Sequence, residues 1–204
     1  MILACSSPKS PLACPGRKML ALWMLSLAGA GAVSAQPKAI DVGKSAVTIK
    51  VYKAGLLSEM GHDHEINAPL TRGTVDTSSR QVELHSKAGA LQVRDPNISD
   101  KDRAEIQSTM LGHKVLDTVR HPEIIFRSTS AEPTGAGSWR LNGNLTLHGE
   151  THIVEVKVRE AGGHYVGVSV FKQTEFGIEP VKAGGGSVRV KDQVRIEFDI
   201  QLAP

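Results

Sequence analysis

Chemistry in this chain would fall first to histidine. His62-Asp63-His64 places two imidazoles two residues apart, and in an extended segment such residues share a face. The pair suits zinc, copper or haem iron, with Asp63 or Glu65 orienting a ring. One histidine titrating near neutral pH could equally act as a general acid or base. The plainer reading is a polar segment whose rings hydrogen-bond at the rim of the fold. Two ligands do not make a metal site, and His85, His113 and His121 are the candidates for a third.

Other letter patterns carry less. His148 and His152 stand at the spacing of paired ligands on a helix. They flank Gly149-Glu150, so a hairpin puts them on opposite faces. Ser169-Val170-Phe171-Lys172 matches S-x-x-K only by letter, because an alternating strand sends Ser and Lys to opposite sides. No G-x-S-x-G, H-E-x-x-H or Gly-rich phosphate loop occurs, and the acidic residues are dispersed along strand faces. An enzyme is therefore the less favoured class.

The elements that must position these residues are mostly strands. In Val194 to Leu202 five apolar residues alternate with four polar ones, the period of a half-buried strand. Val154, Val156 and Val158 alternate in the same way with Glu155, Lys157 and Arg159. Further strands are expected at 45–53, 70–76, 81–90, 123–130, 138–147 and 164–173, eight in all, with one face in a core and one in water. A two-residue Gly149-Glu150 turn of type II′ would pair Leu145 with Val154, Gly143 with Val156 and Leu141 with Val158, all on one face. The Ala161-Gly162-Gly163-His164 hairpin admits two loop lengths. Between 91 and 122 the pattern changes. Ser99-Asp100-Lys101-Asp102 resembles a capping box, Ile106 and Met110 share a helical face, and Gly112 is a natural stop, so one helix is expected at about 99–111. The glycine run after Ala183 reads as a loop.

Charge sorts the chain into two parts. Of 24 Lys and Arg against 21 Asp and Glu, the three excess cations are Lys9, Arg17 and Lys18. Residues 36–204 are formally neutral, which gives no field for nucleic acid. Arg17-Lys18, the apolar run Met19 to Ala28 and Val33-Ser34-Ala35 read as a cleaved signal peptide over 1–35. The apolar run is about half the ~20 residues that a membrane span needs, and no later segment is apolar enough to be one. Cys5 and Cys14 both lie in this leader, so the mature chain, 36–204, is expected as one exported, disulfide-free domain, periplasmic or secreted.

Three segments resemble the YceI-like family of periplasmic lipid- or polyisoprenoid-binding barrels. Leu116 to Ser128 is similar to its Pro-Ile-Phe-Ser block, Leu141 to Gly149 to its G-x-L-T-x-H-G hairpin, and Thr174 to Pro180 with Val188 to Leu202 to its F-G-I segment and closing strand. The resemblance covers about 40–203. It implies an all-β, eight-stranded antiparallel lipocalin-like barrel with a helical lid, holding a long apolar molecule. Where better-known members run from a His-Leu-Gly type segment into a strand, this chain has Gly61-His62-Asp63-His64.

Such a barrel has an interior wide enough either to be filled by side chains or to hold one small ligand. Beyond the leader only seven Phe, Trp and Tyr residues remain, so a Val- and Gly-lined interior has room. The candidate ligand-binding lining is Val82, Leu84, Phe126, Leu141, Leu145, Val154, Val156, Val158 and Phe198. The expected partner is a polyisoprenoid, a quinone-type tail or a fatty lipid. Two other readings stand beside it: a metal- or haem-associated envelope protein using His62 and His64, and an enzyme acting on a lipid-like substrate.

Overall fold

The computed structural model describes residues 36–55, 63–183 and 188–204. The leader, His62 and the glycines 184–186 lie outside the described residues. The strands are β1 (Lys38–Ala39), β2 (Ala46–Ala54), β3 (His64–Asn67), β4 (Leu70–Asp76), β5 (Gln81–Lys87), β6 (Gln92–Val93), β7 (Glu123–Gly135), β8 (Ser138–Leu147), β9 (Glu150–Ala161), β10 (His164–Lys172), β11 (Lys182–Ala183) and β12 (Val188–Gln201), with one helix, α1 (Asp100–Leu111), between β6 and β7. All twelve belong to one curled antiparallel sheet, a half-barrel; eleven run in the order β1-β4-β5-β7-β8-β9-β10-β12-β2-β3-β6, and β11 pairs with β12 off that order. Beside β1, Ile40 donates its N–H to Gly73 of β4 and bridges to Leu202 after β12.

The eight expected strands are the eight long ones. The count of eight is nevertheless corrected, because β1, β3, β6 and β11 span only two to four residues, too short to show a period of two. β5 also stops at Lys87, where Ala88–Ala90 form a 3-10 turn with Ala88 buried.

The β8–β9 hairpin corrects a register. The turn has two residues, but they are His148 and Gly149, with φ of 53° and 79°, and Leu147 faces Glu150. Positive φ at both central positions is a type I′ turn, whose twist matches that of the strands. Leu145 therefore pairs with His152, Gly143 with Val154 and Leu141 with Val156, a shift of two that keeps every apolar residue on its predicted face. His148 thus sits in the turn itself. It is held there by an Nδ1–H bond to the Phe176 carbonyl at 3.0 Å and by edge contact with the His121 ring. The next hairpin resolves to the two-residue loop, Gly162-Gly163, with Ala161 facing His164.

Helix α1 begins as expected. Ser99 is its N-cap, and the Ser99 Oγ accepts the Asp102 N–H at 3.1 Å, the half of a capping box that Asp in place of Glu leaves intact. Gly112 ends the helix with φ −75°, so the stop needs no left-handed residue. Gln107 fastens the helix to the sheet: its Oε1 accepts the Val93 N–H at 2.8 Å, and its Nε2 donates to Leu91 O at 2.7 Å. Met110 and Leu116 are buried in the same core as Leu91, Val93, Phe176 and Ile178.

Candidate functional site

Each of the eight long strands places side chains around one cavity of about 260 Å³. Val47 and Ile49 come from β2, Ile124, Phe126 and Ala131 from β7, Trp139 from β8, Tyr165 from β10, and Ile196 and Ile200 from β12. All nine residues expected in the interior, Val82, Leu84, Phe126, Leu141, Leu145, Val154, Val156, Val158 and Phe198, lie on this lining. Trp139 and Tyr165 were absent from that expected set, although extending the Leu141 alternation by one step reaches Trp139. Their rings meet edge to face, with centroids 6.3 Å apart.

The interior is apolar because its polar atoms are turned to the backbone. Ser86 Oγ donates to Pro69 O at 2.8 Å and Ser169 Oγ to Glu155 O at 2.7 Å. A buried hydroxyl bonded in this way leaves no donor to hold water. Ser169 is inward and Lys172 exposed, so the S-x-x-K letters make no catalytic pair. Glycines make room for the large lining residues. A Cβ on Gly143 would stand 2.5 Å from two ring carbons of Phe126, and one on Gly73 would stand 2.8 Å from Leu84 Cδ2.

One end is closed. The 3-10 turn Gln173–Phe176 ends at Gly177, whose φ of 69° turns the chain so that Phe176 (0% exposed) and Ile178 are both buried. The Phe176 ring stands edge-on to Phe171 and His152. This is the work of the F-G-I segment. Helix α1 packs in that same core through Met110 and contributes no residue to the cavity lining. The cavity runs outward to the β4–β5 turn, where the lining residues Thr77 and Arg80 are exposed. Asp76 there accepts three hydrogen bonds on Oδ1, from the Ser78 N–H, the Ser78 hydroxyl and the Ser79 N–H. These hold its carboxyl well below the usual carboxylate range.

Of the expected histidine pair, His64 lies among the described residues and His62 outside them. His64 opens β3, and its Nδ1 lies 2.7 Å from Oδ2 of Asp95. Asp95 is 1% exposed. Its Oδ1 accepts the Glu65 N–H at 2.6 Å, and its carbonyl accepts from Arg103 of α1 at 3.0 Å. The ring is thus oriented by Asp95, not by Asp63 or Glu65; Asp63 instead accepts the Lys53 N–H at 2.9 Å. No pattern in the sequence marked Asp95, which lies 31 residues from His64. His85 is buried against Glu83 at 2.5 Å and Arg72 at 3.1 Å, and His121 lies against His148. Among the described residues no group of three or more His, Cys, Asp or Glu side chains could hold a metal.

Comparison with known proteins accords with this geometry. Two curated relatives are UPF0312 proteins of Shewanella. The one from Shewanella putrefaciens is 26% identical over 171 residues, covering 78% of this chain and 85% of its own length. The one from Shewanella oneidensis is 25% identical over 160 residues, covering 72% and 80%. Among solved structures, Burkholderia cenocepacia BcnA superposes with a TM-score of 0.56 at 20% identity, over 81% of this chain and 99% of that one. The Campylobacter jejuni YCEI protein does so with a TM-score of 0.51 at 10% identity, over 68% and 81%. Both show the same fold. Residues 39–202 match the YceI-like domain, and the chain belongs to that family.

Proposed function

We propose that this protein is an exported binding protein that holds the apolar chain of a single amphiphile inside its curled sheet. The observation that supports this most is the apolar cavity, lined from eight strands, closed at the Phe176 end and reaching solvent at the β4–β5 turn. At about 30 Å³ for a water-sized group, 260 Å³ takes roughly nine methylene-sized groups. That size favours a fatty chain or a short isoprenoid tail. A long polyisoprenoid or quinone tail would extend out of the mouth or displace Phe126 and Phe198. Nine methylenes at ~0.8 kcal/mol each supply a gross driving force of about 7 kcal/mol, part of which is offset by ordering the chain.

Export rests on the leader: cations, a short apolar core and a small-residue cleavage site before Gln36. Among the described residues no helix is long and apolar enough to cross a membrane. The periplasm is the destination that this leader and the family resemblance favour.

The test is native mass spectrometry of the protein isolated from its own cell envelope, with an organic extract of the same sample. The expected result is a chain beginning at Gln36 with one amphiphile bound. An extract free of lipid, together with failure to bind decanoate or decanol, would overturn the proposal.

A further inference from the structure

The cavity lining contains three side chains able to carry charge, Asp76, Arg80 and His85. Two are already committed. The Asp76 carboxylate is taken up by the donors of its own turn, and the His85 ring is engaged by Glu83 and Arg72. Arg80 makes no hydrogen bond or ion pair with any other described residue. Its backbone is also unusual, with φ at 56°, where glycine would be the relaxed choice in the turn between Asp76 and Gln81. A long cationic side chain therefore occupies a left-handed turn position at the mouth of an apolar cavity, and no other described residue uses its charge. Strained positions of this kind cluster at ligand clamps.

We infer that Arg80 is the headgroup anchor of the site, and that the ligand is an amphiphile with an anionic head, a carboxylate or a phosphate monoester, on a chain of about ten carbons. This rests on the proposed apolar-chain reading and adds the chemistry of the polar end. The guanidinium presents paired N–H donors to a carboxylate or phosphate while the chain occupies the cavity below. Asp76 keeps its negative charge, but its Oδ1 is occupied by the Ser78 and Ser79 donors of its own turn and no ion pair joins it to Arg80, so it does not take up the guanidinium's donors.

The experiment compares decanoate, decyl phosphate and decanol by calorimetric titration against the wild-type protein, Arg80→Gly and Arg80→Lys. Wild type should bind one or both anions about tenfold more tightly than the alcohol, about 1.4 kcal/mol, with the ratio shrinking as salt screens the exposed mouth. The anion preferred tells a carboxylate head from a phosphate one. Arg80→Lys should keep the preference and Arg80→Gly should lose it, while melting no lower than wild type because glycine relaxes the turn. Decanol bound with no preference for either anion, or a preference surviving in Arg80→Gly, overturns the anchor and leaves the cavity reading standing. Failure of all three probes to bind overturns both.

Discussion

Replacing Gly143 with Ala tests the claim that the interior is a shaped cavity rather than loosely filled space. Gly143 lies on the inner face of β8, between Leu141 and Leu145. An added Cβ would meet Cε2 and Cζ of Phe126 at 2.5 Å and the Arg127 carbonyl at 2.7 Å, where ordinary contact begins near 3.4 Å. Something must yield by about 1 Å. The Arg127 carbonyl belongs to the ladder in which Arg127 faces Asn144, so its retreat would disturb β7–β8 pairing. The ring is freer, because its other side borders the cavity. Overpacking of this kind costs about 1–3 kcal/mol, which for a domain of this size lowers Tm by roughly 2–12 °C. The displaced ring also takes up ligand space, so decanoate affinity should fall with stability. Differential scanning calorimetry and titration calorimetry read the two effects. Gly89→Ala, which finds nothing within 4 Å, is the matched control, and Phe126→Leu should relieve the clash in the double variant. Wild-type Tm and affinity in Gly143→Ala would refute the reasoning, since the ring could not then be resting on the glycine.

Other outcomes follow from the same geometry. Lengthening a fatty acid should tighten binding about fourfold per methylene until roughly nine groups are enclosed, and a displacement series showing no break would contradict the cavity's size. Asp95→Ala leaves the Glu65 N–H and the His64 ring without their partner and should cost about 1–3 kcal/mol in urea unfolding, Asp95→Asn less; an unchanged midpoint would count against the buried network. Hydrogen bonds from His85 and then Arg127 lower the Glu83 pKa, and those from Lys50 and then Arg195 lower that of Glu197. Folded values below the usual 4.5 mean stability that is present above that pH and lost as pH falls through the lowered values. Tm should accordingly hold from neutral pH down to about 5 and then drop in acid, and a flat acid profile would argue against these pairs.

The sequence by itself determined the eight long strands and which side of each faces inward. Alternation is a local property, and a slip of two residues at His148-Gly149 left the faces of Leu141, Leu145 and Val154 unchanged because the side-chain period in a strand is two. It also located α1 through the Ser99 cap. What local pattern could not carry is anything set by contacts between distant segments. In that turn His148 reaches the Phe176 carbonyl, 28 residues away in the chain. The partner of His64 is Asp95, just after β6, and the short strands are held by pairing, β1, β3 and β11 to long strands and β6 to β3. Whether the interior is hollow depends on the summed volume of eight inner faces, and glycines such as Gly73 and Gly143 set it by how closely they let Leu84 and Phe126 approach. Arg80 belongs to the same class: its letter is an ordinary cation in a polar turn, and only the curled sheet puts that turn at the mouth of the cavity.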